Sequence, residues 1–185
     1  MRKLMLVAIP AVLAASPALA QSATGTVAVT GTVAGKCAIT SPAPTAINLG
    51  ELANTAGTVI SGFTNNVGGL TRSFTVICSS ANVGVSVSSD ALNNSTDNTT
   101  GSGYTGRVHY SSTATADKAG GGNASATYIS ADVLPAASSV TLGDRLAATA
   151  SNVSVTVSAG HTTNAADKLK AGTYNSTITV VIAPA

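Results

Sequence analysis

The feature that most limits what this chain can become is an apolar period of two, repeated in segment after segment with valine as its main carrier. In "NVGVSVSS" the residues Val83, Val85 and Val87 fall on one face of an extended chain, and in "SNVSVTVS" Val153, Val155 and Val157 do the same. Leu70 to Cys78 gathers Phe74, Val76 and Cys78, and the closing "TYNSTITVVIA" gathers Tyr174, Ile178, Val180 and Ile182. A helix, with 3.6 residues per turn, would scatter these side chains, whereas a pleated strand collects them. One apolar and one polar face per strand describe antiparallel sheets with a buried and a wet side. The pattern therefore predicts an all-β sandwich rather than a parallel sheet.

Shorter strands are expected at "AINLGEL", "GRVHYSS" and "ATYISADV", separated by Gly, Asn, Ser and Pro clusters that read as turns. The polar stretch from Leu92 to Gly122 reads as long loops around the single strand at "RVHYSS". The best helix signal is "NAADKLKAG", where Asn164 is placed to cap a short turn ending at Gly172. Core packing is the expected role of Val76, Val85, Val155 and Val180. The largest apolar residues available to the core are Phe63, Phe74, Tyr110, Tyr128 and Tyr174.

The N-terminus changes the arithmetic for everything after it. Arg2 and Lys3 precede an apolar run from Leu4 to Ala15, and Ala18-Leu19-Ala20 offers small residues for cleavage before Gln21, so residues 1–20 read as a secretory signal peptide. Pro10 and Pro17 interrupt the run, which is shorter than the roughly 20 residues of a membrane span. Removing 20 of 185 residues leaves 165, one domain of ordinary size. Nine basic residues less Arg2 and Lys3 leave seven against seven acidic ones, so the mature side chains sum to zero. No basic stripe remains for nucleic acid or an anionic membrane, and membrane insertion is not expected. Intrinsic disorder, which goes with low hydrophobicity and high net charge, does not fit either.

Export also decides how Cys37 and Cys78 are read. In an oxidising compartment a disulfide is the default for two cysteines. Neither has a second Cys or a His at ligand spacing, which argues against a metal, and no cofactor is expected. The two histidines, His109 and His161, form no metal or catalytic motif, and His109, alternating with Val108, is expected to face solvent. There is no G-x-S-x-G elbow and no local carboxylate pair, so catalytic residues are not expected and the chain is not read as an enzyme.

With chemistry set aside, the ends of the chain become informative. "ATGTVAVTGTVAGKC" opens the mature chain with Val27, Val29 and Val33 on one face. An ordered set follows: an early Cys in "GTVAGKCAIT", an "INLGEL" segment, a second Cys closing "SFTVICSS", and a terminal "AGTYNSTITVVIAPA". Together they resemble pilin subunits of chaperone–usher systems, in particular the archaic branch that shares a domain type with the spore coat protein U family.

The resemblance implies an immunoglobulin-like sandwich, residues 36–185, lacking its last strand, with an N-terminal extension, residues 21–35, that completes the next subunit. Within it, residues 23–34 would be the donor strand, with Val27, Val29 and Val33 entering pockets and Gly31 where a side chain does not fit. The final strand, with Tyr174, Ile178, Val180 and Ile182, would line the acceptor groove. The implied partners are identical or related pilin subunits, a periplasmic chaperone and an outer-membrane usher, and the implied location is an extracellular pilus. The chain departs from better-known pilins in having Pro184, not Tyr, next to its C-terminus. The other reading of 23–34 is a first strand paired within its own chain, which would make a self-complete secreted or surface β-sandwich acting as a carbohydrate-binding or coat protein.

Overall fold

The computed structural model describes residues 25–41, 45–131 and 136–185. The expected leader, residues 21–24 of the extension and the end of "ATYISADV" lie outside the described residues. Two units are distinguished, one ending at Thr32 and a compact body from Val33 to Ala185. In the first, residues 25–32 carry neither helix nor strand, and Val27 and Val29 are 89 % and 92 % exposed.

The described residues of the body hold no helix. In chain order the strands are β1 (Cys37–Ser41), β2 (Thr71–Cys78), β3 (Val83–Ser89), β4 (Leu92–Asn94), β5 (Thr100–Gly101), β6 (Tyr104–Thr105) and β7 (Arg107–Asp117). They continue as β8 (Asn123–Ile129), β9 (Ser138–Thr141), β10 (Val153–His161), β11 (Lys168–Leu169), β12 (Tyr174–Asn175) and β13 (Ile178–Pro184). The larger sheet runs β1-β2-β10-β7-β4-β12, with β8 also paired to β7. The facing sheet is β13-β3-β9, and β11-β6-β5 form a small third sheet whose β11–β6 pair is parallel. All other ladders are antiparallel, and the architecture is an all-β sandwich.

The period of two maps directly onto the layers. Val83, Val85 and Val87 of β3 are at most 1 % exposed and meet Phe74 and Val76 of β2, Ala114 and Ala116 of β7, and Val153 and Val155 of β10. Small residues on β7 and large ones on β2 and β3 let the two layers interdigitate. A second cluster, Leu52, Phe63, Leu92, Val108, Tyr110 and Val157, fills the end of the sandwich where β10 finishes. Asn152 joins β2 to β10 where the ladder stops: its Oδ1 accepts from Val76 N–H at 2.9 Å and its Nδ2 donates to Val76 C=O at 2.8 Å. Cys37 and Cys78 stand opposite each other in the β1–β2 ladder and form the disulfide.

Several local expectations are corrected. The stretch 92–122 is mostly strand, because "RVHYSS" grows into the eleven-residue β7, preceded by β4 to β6. Its Thr and Ala alternate as regularly as Val does elsewhere, but with smaller side chains. "AINLGEL" forms no strand, only an isolated bridge of Asn48 to Val67, with a second bridge, Ala53 to Val59, just after it. Asn164 does organise a turn, accepting from Asp167 N–H, but Lys168 and Leu169 then pair with β6 instead of continuing a helix. The terminal run is not one strand from Tyr174: β12 pairs with β4 in the larger sheet, and after Ser176 and Thr177 the chain crosses to pair β13 with β3.

His109 is also corrected, being 4 % exposed rather than solvated. Its neighbour β10 bulges between Ser158 and His161, with Ala159 at φ +54°, and carries His161 and Thr163 over it. The two imidazoles lie 5.6 Å apart, and Thr163 Oγ1 is 3.3 Å from His109 Nε2.

Candidate functional site: an open cleft between two sheet edges

Each sheet ends at the same side of the sandwich, one at β1 and the other at β13, and among the described residues no ladder joins these two edges. They meet at one pole, where a side chain on Gly35 would lie 3.1 Å from Cβ of Pro184. The chain enters the body here, held by Lys36 N–H donating to Ser79 Oγ and by Ser79 Oγ donating to Ala34 C=O, both at 3.0 Å. Away from this pole the edges enclose a cleft of about 1300 Å³.

The cleft is built from residues the strands were bound to leave there. Ile178 and Val180 point inward from β13, yet with no strand on their outer side they remain half-buried, unlike the valines of β3 beside them. The opposite wall is Ile39 and the segment carrying Ile47, Leu49 and Leu52. Phe74, Leu92, Tyr110, Val155 and Val157 form the floor. In an antiparallel ladder only every second residue bonds each neighbour, so half of β13's N–H and C=O groups point away from β3, into the cleft side.

The far end is held open by polar contacts. Asn94 Nδ2 donates to the carbonyls of Lys170 and Ala171, both at 3.1 Å, and Tyr174 Oη donates to Lys170 C=O at 2.8 Å. Gly172, at φ +149°, passes so close to the Asn94 amide that a Cβ would sit 2.6 Å from it, which only glycine avoids. Lys170 Nζ pairs with Asp97 Oδ2 at 2.7 Å and donates to Thr99 Oγ1. Those contacts, Lys170 first and then Thr99, hold the Asp97 carboxyl well below its usual range. Ser176 Oγ donates to Asp90 C=O, so Tyr110 Oη, 2.7 Å away, donates to Ser176. Burial raises the Tyr110 phenol.

Of the residues singled out in the sequence, Tyr174, Ile178 and Val180 line the cleft. Ile182 lies beyond it, packed on the main core. Val33 is 86 % exposed, and a Cβ on Gly31 would meet nothing within 4 Å. The wall from Ile47 to Leu52 was missed as part of the site, although its three apolar residues in an otherwise polar stretch were a signal. The cleft holds no cluster of three metal-ligating side chains among the described residues. Its chemistry is an apolar floor between walls that carry polar side chains and a row of backbone groups, which suits an extended peptide. Compared with protein-family models, curated proteins and solved structures, the chain matches none.

Proposed function

We propose that this chain is the structural subunit of a surface filament, polymerising when residues 23–34 of one copy enter the cleft of the next and add a strand to β13. The observation that carries the reading is the cleft itself, an open trough with an apolar floor between two sheet edges that no strand among the described residues joins. Strand addition supplies affinity from the main chain and specificity from alternate side chains. The exposed Val27, Val29 and Val33 have the matching period, and burying each would contribute roughly 1.5–3 kcal/mol.

The position of the chain entry supports a head-to-tail order. Residues 33–36 join the body at the Pro184 pole, while the residues lining the cleft, from Ile39 to Val180, do not include that pole. Such a contact is heterologous and does not close on itself, so it propagates as a fibre. Before assembly an exposed trough invites aggregation, and the resemblance to chaperone–usher pilins supplies the remaining partners: a periplasmic chaperone covering the cleft and an outer-membrane usher exchanging it for the donor. Adhesion and biofilm formation would follow from the filament.

The test is SDS gel mobility of protein sheared from its native cells, unboiled against boiled, without reductant. A heat-sensitive ladder collapsing to one band is expected. A single monomer band in both lanes, from folded protein, would overturn the reading.

A further inference from the structure

The joint between the extension and the body has almost no slack. Ala34 C=O and Lys36 N–H are both held by the Ser79 hydroxyl, on either side of Gly35. Val33, the last side chain to enter the next copy's cleft under the proposed function, is one peptide step from Ala34, about 3.8 Å between Cα atoms. On that reading, on which this inference rests, consecutive copies must touch at every junction.

The same lack of slack decides which end of the receiving copy is touched. A strand entering beside β13 runs either with it or against it. Run with it, the entering strand would end at Pro184 of the receiving copy, where that copy's own residues 33–36 already join the body. Two bodies would then contend for one pole. Run against it, the strand ends at Ile178, and the Pro184 pole of one copy meets the Ile178 end of the next.

At these two ends stand two exposed charges of opposite sign, Lys36 and Asp90. Asp90 follows directly on β3, its N–H donating to Thr177 C=O and its own C=O accepting from Ser176 Oγ, so it sits at the start of β13. Burial first, and the Asp90 charge after it, raise the Tyr110 phenol, so the carboxylate stands within electrostatic reach of the cleft floor. Among the described residues neither Lys36 nor Asp90 joins an ion pair. The charged groups that line the cleft are engaged: Lys170 pairs with Asp97, Glu51 accepts from Ala53 N–H, and Arg72 donates to backbone carbonyls.

From this we infer that Lys36 of each copy pairs with Asp90 of the next, across every junction of the filament. In the register that seats Val33 against Ile178, Lys36 lies three residues past that level, and Asp90 lies one residue past it. The entering strand is two strand spacings from β3. At about 3.3 Å per residue and about 4.8 Å per strand, the two Cα atoms are about 12 Å apart. The four-carbon stem of lysine and the short stem of aspartate span that gap. Insertion already tethers the two copies, so the pair needs no standard interface of its own. Its role is to fix how one copy is turned on the next, since opposite charges set register and partner choice more than affinity.

The experiment is carbodiimide treatment of filaments sheared from the native cells, followed by boiling and an SDS gel without reductant. The carbodiimide activates a carboxylate, and an amine in contact with it displaces the resulting urea to leave an amide. Wild type is expected to give a ladder that now survives boiling, with a Lys36–Asp90 peptide pair in its digest. Lys36→Gln and Asp90→Asn should each keep the heat-sensitive ladder, because an exposed ion pair contributes little to a junction, and lose most of the boiling-resistant one. Lys36→Glu combined with Asp90→Lys, which exchanges the charges, should regain it. A treated wild-type ladder that collapses on boiling, or a boiling-resistant ladder undiminished in Asp90→Asn, overturns the contact and leaves the filament standing. A monomer band from untreated, unboiled wild type overturns both together.

Discussion

Replacing Val29 with Asp separates the stability of the subunit from that of the assembly. Val29 is 92 % exposed in the single chain, so the change should leave the subunit's unfolding free energy within about 0.5 kcal/mol of wild type. Inserted over the apolar floor of the cleft, the variant forfeits the burial of one valine, roughly 2 kcal/mol. Its carboxyl must also be carried in neutral, which from an ordinary value of 3.9 costs about 4 kcal/mol at pH 7. Together these weaken each junction by roughly 6 kcal/mol, about four orders of magnitude in the equilibrium constant. The assay is the heat-sensitive ladder, with chemical denaturation of the isolated subunit alongside. Assembly should recover in part near pH 4, where the carboxyl is half neutral, whereas Val29→Asn should show no such pH dependence. Normal ladders from Val29→Asp at pH 7 would refute the assignment of Val29 to a buried position. A large loss of subunit stability would refute its exposure in the single chain.

Other expectations concern the body. Losing the Cys37–Cys78 bridge, which spans 41 residues of sequence, should cost about 4 kcal/mol in the chain-entropy account and lower the urea midpoint accordingly. It should also free β1, one wall of the cleft, and so reduce assembly. Phe63→Ala should destabilise by about 3–5 kcal/mol. Gly160→Ala drives a Cβ into the Phe63 ring and should cost about 1–3 kcal/mol, less when combined with Phe63→Leu in a double-mutant cycle. Asn152→Ala strands the buried N–H and C=O of Val76 and should cost about 2–4 kcal/mol, read from equilibrium unfolding. Asp97 and Asp144 are both held below their unfolded value, Asp97 by Lys170 and Asp144 by the N–H groups of Gly120 and Arg145. Their contribution is fully present above about pH 4 and is lost as pH falls further, so Asp97→Asn should flatten the acid limb of the stability profile.

Much of the layer structure was readable before any coordinates. The valines of β3 and β10 announce both the strand and its buried side, because the side-chain period of a strand is two whatever it pairs with. The long β7 was harder to see, since Ala and Thr mark the same alternation with little hydrophobic contrast. His109 was misplaced for a different reason. Strand alternation put it on the outer face correctly, but past the bulge at Ala159 the ladder sets His161 opposite it, with the Thr163 hydroxyl beside its ring, and these neighbours cover it. Part of the cleft was legible in Ile178 and Val180, while its other wall, residues 45–53, forms no strand and gives no periodic signal.

The amino-acid sequence by itself determined the all-β class and which face of each main strand is buried. Only the tertiary structure decided that the terminal run divides between two sheets at Ser176, that β1 and β13 both remain edges, and that a cleft lies between them. The reason is physical. Side-chain burial is a property of residue type and period, while the ladder that a strand joins is made by backbone groups that are the same in every residue.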